Sequence, residues 1–162
     1  MVIVNLSGGL GNQLFQYAAA KSVAQKLNTE LKLDLTSAKV SLNPKGHGHY
    51  RLGDFNITEN IATPEEIAHV KTTGIIPPPL PKLDDCQRDI FIQGHWFHGE
   101  EAFKDVVGLL RKEFTLKKIL HKNSAAWKKK ILAAECSVAL HVRHGDYLKG
   151  SNIHIAGAIP LA

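Results

Sequence analysis

Apolar side chains change their spacing twice before residue 36. Val2-Ile3-Val4-Asn5-Leu6 is a short, nearly continuous apolar run, which predicts a strand. Beyond the glycine-rich stretch Ser7–Asn12, Phe15, Ala19, Val23 and Leu27 recur every four residues, with Leu14 and Ala18 beside them. That period predicts a helix, and Asn28 is a natural stop. Leu31, Leu33 and Leu35 then alternate with Lys32 and Asp34, the period of a second strand. A strand, a helix and a strand in that order build parallel sheet through a right-handed crossover.

The middle of the chain is less regular. Residues 36–61 carry turn chemistry, dense at Asn43–His49, and Arg51–Ile57 reads as an ordered loop with a few apolar anchors. Thr63-Pro64-Glu65-Glu66 is a helix start: Thr63 caps, Pro64 takes the first helical position and Glu66 reaches back. That helix ends near Gly74, and Pro77–Pro81 follows as an extended connector. Ile90–Gly94 predicts another strand, and a helix should carry Phe103, Val106, Val107, Leu110 and Phe114 on one face. A last helix, capped by Ser124, should turn Trp127 and Ile131 inward and Lys128-Lys129-Lys130 outward as its wet face. Val138–Val142 is again a continuous apolar run, the pattern of a strand buried on both faces. The expected class is therefore α/β, a Rossmann-like parallel sheet with flanking helices.

Composition narrows the functions. The chain has 162 residues, 44% hydrophobic and 22% charged, with a formal net charge of +5. That balance is globular, and the modest positive charge suits an anionic small molecule or an acidic membrane surface. No basic stripe alternates with aromatics, so nucleic acid is not an expected partner. Cys86 and Cys136, far apart, form neither a disulfide framework nor a metal site, which fits a cytoplasmic setting. His47-x-His49 and His95-x-x-His98 have short spacings but no accompanying metal-ligand pattern, so no metal is expected. No apolar run reaches the ~18 residues of a spanning helix, so any membrane work would be peripheral.

Two stretches gather chemistry. Gly8-Gly9-Leu10-Gly11-Asn12-Gln13 lies between a strand and a helix, where glycine lets a ligand approach the backbone and the helix amino end offers N–H groups to an anion. Asn12 is equally a candidate helix cap. A dinucleotide-binding turn fits only in part: Gly9 and Gly11 match, Asp34 stands where a ribose-binding acid would, but Leu14 holds the third glycine position. The second stretch is His141-Val142-Arg143-His144-Gly145-Asp146-Tyr147, at the carboxyl end of the last predicted strand, where α/β sheets bind ligands. Alternation puts His141 and Arg143 on one side, and an arginine there suits a phosphate. His141 as a satisfied core histidine stays open, as do three roles for Asp146: orienting Arg143, capping, or acting as a base.

Together these stretches resemble the bacterial α-1,2-fucosyltransferases of glycosyltransferase family eleven. Those enzymes carry Gly-Gly-Leu-Gly-Asn-Gln-Leu-Phe-Gln-Tyr-Ala, found here unchanged at Gly8–Ala18, and later His-x-Arg-Arg-Gly-Asp-Tyr, found here at His141–Tyr147 with His144 in place of the second arginine. Asp54–Ile57 and Arg111–Thr115 also look like family text. The resemblance implies the amino-terminal half of a GT-B-like glycosyltransferase. It implies inverting, metal-independent transfer of L-fucose from GDP-fucose to the 2-hydroxyl of a galactose-containing glycan, with no cofactor beyond that donor. Arg143 would grip the β-phosphate, His141 would support it, and His144 and Tyr147 would stand beside them. Gly9, Gly11 and Asn12 would form the opposite lip of the cleft, and Asp146 is the candidate base. The implied division is an acceptor-side domain over 1–135, then the first strand and loop of a donor domain over 136–162. An unpaired edge on that strand would invite a second copy of the chain. A non-catalytic glycan-binding or remnant domain is the alternative.

Overall fold

The computed structural model describes residues 1–39, 49–73, 75–76, 89–94, 99–118 and 122–140. The chain divides into two compact units, Met1–Ile119 and Leu120–Ala162. The first holds a four-stranded sheet. Its elements are β1 (Val2–Asn5), α1 (Leu10–Lys26), β2 (Leu31–Asp34), α2 (Thr36–Lys39), α3 (Pro64–Thr73), β3 (Ile75–Ile76), β4 (Ile90–Ile92) and α4 (Val107–Glu113). The strand order is β2-β1-β4-β3 and every pair is parallel. The expected class, a Rossmann-like parallel sheet flanked by helices, is what the chain adopts.

Alternation along the strands divides the core into two layers. Val2, Val4, Leu6, Ile90 and Ile92 face α1, together with Leu52, Ile57, Val106 and Leu110. Ile3 and Phe91 face the other way, onto Ile67 and Val70 of α3 and onto Ala62. Both layers are dry because each sheet face is covered by helix, which is why β1 and β4 read as continuous apolar runs. The free edge of β2 is covered as well. Leu33 N–H donates to Asn60 C=O at 2.8 Å, and Ala62 N–H donates to Leu33 C=O at 3.0 Å, so residues 60–62 act as a short fifth rung.

The local signals hold where they rest on hydrogen bonding. Thr63 N–H donates to Glu66 Oε2 (2.9 Å) while Glu66 N–H donates to Thr63 Oγ1 (3.3 Å), the reciprocal box expected at the start of α3. Asn28 ends α1 at φ +47°, with Thr29 N–H donating back to Ala24 C=O at 2.9 Å. Asp54–Ile57 and Arg111–Thr115 meet: Asn56 N–H donates to Thr115 C=O (2.9 Å) and Lys117 N–H to Asp54 C=O (2.8 Å). Phe114 from the second stretch stacks edge-on to Phe55 from the first, with ring centroids 6.3 Å apart.

Five expectations change. Leu35 falls outside β2, because Thr36 N–H donates to the Asp34 carboxylate at 2.9 Å and turns the chain into α2. The helix expected from Phe103 begins instead as two 3₁₀ turns, Glu100–Ala102 and Lys104–Val106, before α4. Phe103 between them has φ −143°, outside the helical region, which sets its ring against Phe15 at 5.8 Å. In the second unit, helix α5 (Lys122–Ala133) starts at Lys122, ahead of the expected Ser124 cap. Its Trp127 and Ile131 are exposed, not turned inward. Residues 137–140 are irregular backbone with Val138 and Leu140 exposed. An extended segment becomes a strand by pairing, and these residues form no β-bridge with the described ones. The rest of the expected Val138–Val142 strand lies outside the described residues.

Candidate functional site

The carboxyl ends of β1, β2 and β4 carry the candidate site. In the strand order β2-β1-β4-β3, β1 leads through α1 to a neighbour on one side, and the chain later returns to its other side at β4. The crevice between β1 and β4 is thus the switch point, where α/β sheets take ligands beyond their carboxyl ends. The turn Gly8–Asn12 sits over this point and opens directly into α1.

Each glycine there answers a different demand. Gly8 has φ +72°, the left-handed region that disfavours a side chain. A Cβ on Gly8 would also lie 2.5 Å from Asn12 Nδ2, so the Asn12 carboxamide occupies the space glycine vacates. Gly9 is the residue before the first turn of α1, with φ −73° and ψ 174°, a conformation open to any residue. A Cβ on Gly11 would meet no atom within 4 Å. Neither the backbone at Gly9 nor the packing at Gly11 calls for glycine. Asn12 is the third residue of α1, and no side chain caps the helix, so the capping role for Asn12 does not hold. The first turn of α1 also contains no acidic residue, leaving its positive end uncompensated from within.

Two wholly buried glutamines fix the turn. Gln13 Nε2 donates to Gly8 C=O (2.9 Å) and to His49 C=O (2.6 Å), and Gln13 Oε1 accepts from Arg51 N–H (2.9 Å). One carboxamide therefore ties the turn to the loop entering residues 49–52. Gln16 Oε1 accepts from Ser7 N–H (3.0 Å), and its Nε2 donates to Ser7 Oγ (3.2 Å) and to Gly94 C=O (2.9 Å). That side chain spans the switch point from the end of β1 to the end of β4. Both glutamines belong to the run that carries the resemblance, yet apolar period gave them no role. Their signal is chemical: two carboxamides three residues apart in a helix otherwise rich in alanine mark one face that is buried and polar.

Asp34 is fully buried at the end of β2. Its carboxylate accepts from Asn5 Nδ2 (2.8 Å) and from Thr36 N–H (2.9 Å), and Ser37 Oγ donates to Asn5 Oδ1 (2.9 Å). An acid engaged this way is part of the sheet's edge and is not presented to a ribose, which removes the acid that the partial dinucleotide-binding pattern called for.

Further along α1, Tyr17 is buried and its hydroxyl donates to Glu113 Oε2 at 2.9 Å, while Lys21 pairs with Glu113 Oε1 at 3.0 Å. Burial first, and the hydrogen bond to Glu113 second, push the Tyr17 phenol well above its ordinary value. Tyr50 is pushed up in the same way by burial and by Glu59. Glu59 is held below the usual carboxylate range by Lys117 at 2.6 Å and then by Tyr50 at 2.8 Å. These groups fasten α1, α4 and the 49–59 loop together, and none faces the switch point.

The structure thus brings Gly9, Gly11 and Asn12 together at the head of α1. His141, Arg143, His144, Asp146 and Tyr147 lie outside the described residues, as do His47, His95 and His98. His49 is described, and its backbone carbonyl serves Gln13.

Comparison with known proteins gives one informative likeness. The chain is 29% identical over 167 aligned positions to an alpha-1,2-colitosyltransferase of Escherichia coli, an alignment that covers 91% of this chain and 56% of that enzyme. The chain therefore spans little more than half the length of the relative it matches. No protein-family model matches it, and no solved structure does.

Proposed function

We propose that this chain is the amino-terminal, acceptor-side part of an inverting, metal-independent deoxyhexosyltransferase that moves L-fucose from GDP-fucose to the 2-hydroxyl of a galactoside. The observation that carries the reading is the head of α1: a turn with glycine at positions 8, 9 and 11 at the switch point, anchored from beneath by Gln13 and Gln16. The likeness to a sugar transferase along most of the chain supports it. In this reading Gly9, Gly11 and Asn12 form one lip of the cleft, close to the donor phosphates or the acceptor. Arg143 binds the β-phosphate, with His141, His144 and Tyr147 beside it. As the bond from the sugar's anomeric carbon to the phosphate oxygen breaks, the electron pair passes to that oxygen, and a cation already in place stabilises it. The galactoside 2-hydroxyl attacks from the opposite face and gives its proton to a base, for which Asp146 is the candidate.

The relative's name favours a second donor, because colitose is fucose lacking its 3-hydroxyl. A pocket that hydrogen-bonds that hydroxyl rejects the deoxy sugar by roughly 10⁴-fold, whereas an apolar pocket shaped for the deoxy sugar rejects the added hydroxyl by only about 10²-fold. The test is calorimetry and a radiolabelled transfer assay on the chain, with GDP-fucose, GDP-colitose and a series of galactosides. Donor binding that vanishes in Arg143→Ala, with transfer to the galactoside 2-position, is the expected result. Preference for GDP-colitose moves the donor assignment. Galactoside binding without any donor binding identifies a glycan-binding domain instead, and no binding of either ligand overturns the reading.

A further inference from the structure

A cleft of about 350 Å³ opens beside the second half of α1, and every residue that lines it belongs to the first unit. Tyr17, Lys21, Ala24 and Gln25 contribute one face of the helix. Residues 29–31, which lead into β2, and Thr58 and Asn60, from the segment along its edge, complete the walls. The cleft therefore lies at the start of β2, whereas the glycine turn sits beyond the carboxyl ends of the strands. Gly11 and Lys21 are about 15 Å apart along α1, so one sugar ring cannot touch both places.

Both charged groups of the cleft already have partners in the protein. Lys21 Nζ lies 3.0 Å from Glu113 Oε1. Glu30 lies 3.8 Å from Lys32 Nζ and accepts from Asn60 Nδ2 at 3.2 Å. An anion entering here would compete with Glu113 and face Glu30, and a cation would face Lys21, so a net charge is disfavoured in either sense. The neutral polar groups are unspent. Among the described residues, the side chains of Gln25, Thr29 and Thr58 have no hydrogen-bond partner in the protein. Hydroxyls and carboxamides both donate and accept. Ala24 and Leu31 add apolar surface. The backbone that carries these groups is pinned: Thr29 N–H donates to Ala24 C=O at 2.9 Å, and Leu33 N–H donates to Asn60 C=O at 2.8 Å.

We propose that this cleft binds a neutral sugar unit, as a site separate from the switch point. A sugar ring carries no charge, presents hydroxyls that donate and accept around its edge, and offers apolar C–H faces. Those are the three properties that the lining selects. The volume is at the small end of the range for small-molecule sites, which suits a single ring. The inference is independent of the proposed transferase activity.

The experiment is an NMR titration of the full chain, labelled with ¹⁵N, with the methyl glycosides of galactose, glucose and N-acetylglucosamine. At least one should bind with a millimolar dissociation constant, the range expected for so small a ligand. It should shift the amides of Thr29, Leu31, Thr58 and Asn60 saturably. Gln25→Leu and Thr58→Val, at exposed positions, should each weaken binding about fivefold, the worth of one hydrogen bond. Lys26→Gln, whose lysine pairs with Asp105 and does not line the cleft, should leave it within about twofold. Arg143→Ala should also leave these shifts in place, so loss of donor binding and loss of this site are read separately. Galactose 6-phosphate should bind more weakly than the galactoside, and glycerol should not bind. Circular dichroism checks the fold of each variant. No saturable shift at these four amides with any of the three glycosides would overturn the proposal. So would binding unchanged in both Gln25→Leu and Thr58→Val, tighter binding of the phosphorylated sugar, or equal binding of glycerol.

Discussion

Gln13→Ala isolates what holds the glycine turn. The substitution removes one acceptor and a two-proton donor from a wholly buried position, leaving Gly8 C=O, His49 C=O and Arg51 N–H without that partner. A net hydrogen bond is worth about 1 kcal/mol, and a buried group left without one loses about 1–3 kcal/mol. The three backbone groups are partly buried, so water recovers some of the loss. The expected cost is therefore about 3 kcal/mol, a large share of the ~5–15 kcal/mol typical of a folded domain. At ~2–4 °C per kcal/mol for a chain of this size, the melting temperature falls by about 10 °C. Urea unfolding followed by circular dichroism measures the loss, and amide exchange at Gly8–Asn12 and at Arg51 locates it. Gln13→Glu sharpens the result. Its carboxylate still accepts from Arg51 N–H but presents oxygen to two carbonyls, so it should be worse than alanine at pH 7 and recover as protonation restores a donor toward pH 5. A loss below about 0.5 kcal/mol with unchanged exchange at Arg51 would refute the claim that this carboxamide holds the turn.

Gly8 and Gly11 give opposite outcomes. Gly11→Ala should stabilise the chain by about 0.5 kcal/mol, because alanine is the better helix former and meets nothing. If it nevertheless weakens ligand binding in calorimetry, ligand approach is what keeps the position bare; unchanged binding removes Gly11 from the site. Gly8→Ala should cost about 1–2 kcal/mol through its positive φ and displace the Asn12 amide. Stability against pH should form a plateau. Glu59, Glu66 and Asp89 all have folded values below their ordinary ones, through Lys117, Lys32 and the Met1 amino group respectively. Their contribution is present above about pH 4.5 and is lost as pH falls through the folded values. Tyr17 and Tyr50 are raised, so their contribution is present below about pH 10 and is lost as pH climbs past it. Lys117→Gln should shallow the acid arm of a urea-midpoint titration, and an unaltered arm would exclude Glu59 from it.

Much of the fold could be read from period and caps. β1, α1, β2, α3 and β4 fall where alternation, four-residue recurrence and the Thr63–Glu66 pair put them. What escaped was set by long-range partners. β3 is two residues between Gly74 and Pro77, too short to show any period, and it exists because β4 offers it a ladder. Gln13 and Gln16 look like polar interruptions of an apolar helix until their partners at positions 49, 51 and 94 come into place. Asp34 falls at the end of β2, a position that would suit a ribose, but Asn5 and Thr36 already occupy its oxygens, which no local pattern foretells. Trp127 and Ile131 followed a helical period that predicts a buried side, and period alone does not say what buries it.

The Gln16 bridge has a kinetic consequence. One side chain joins Ser7 to Gly94, so the segments that leave β1 and β4 are tied to each other by the protein itself. In the proposed reading, a ligand that uses this lip meets a rim already tied together and spends little of its binding free energy on ordering that part of the chain. Association with this lip should then be a single fast phase without induced fit, and differences in affinity among sugars should appear in how quickly they leave.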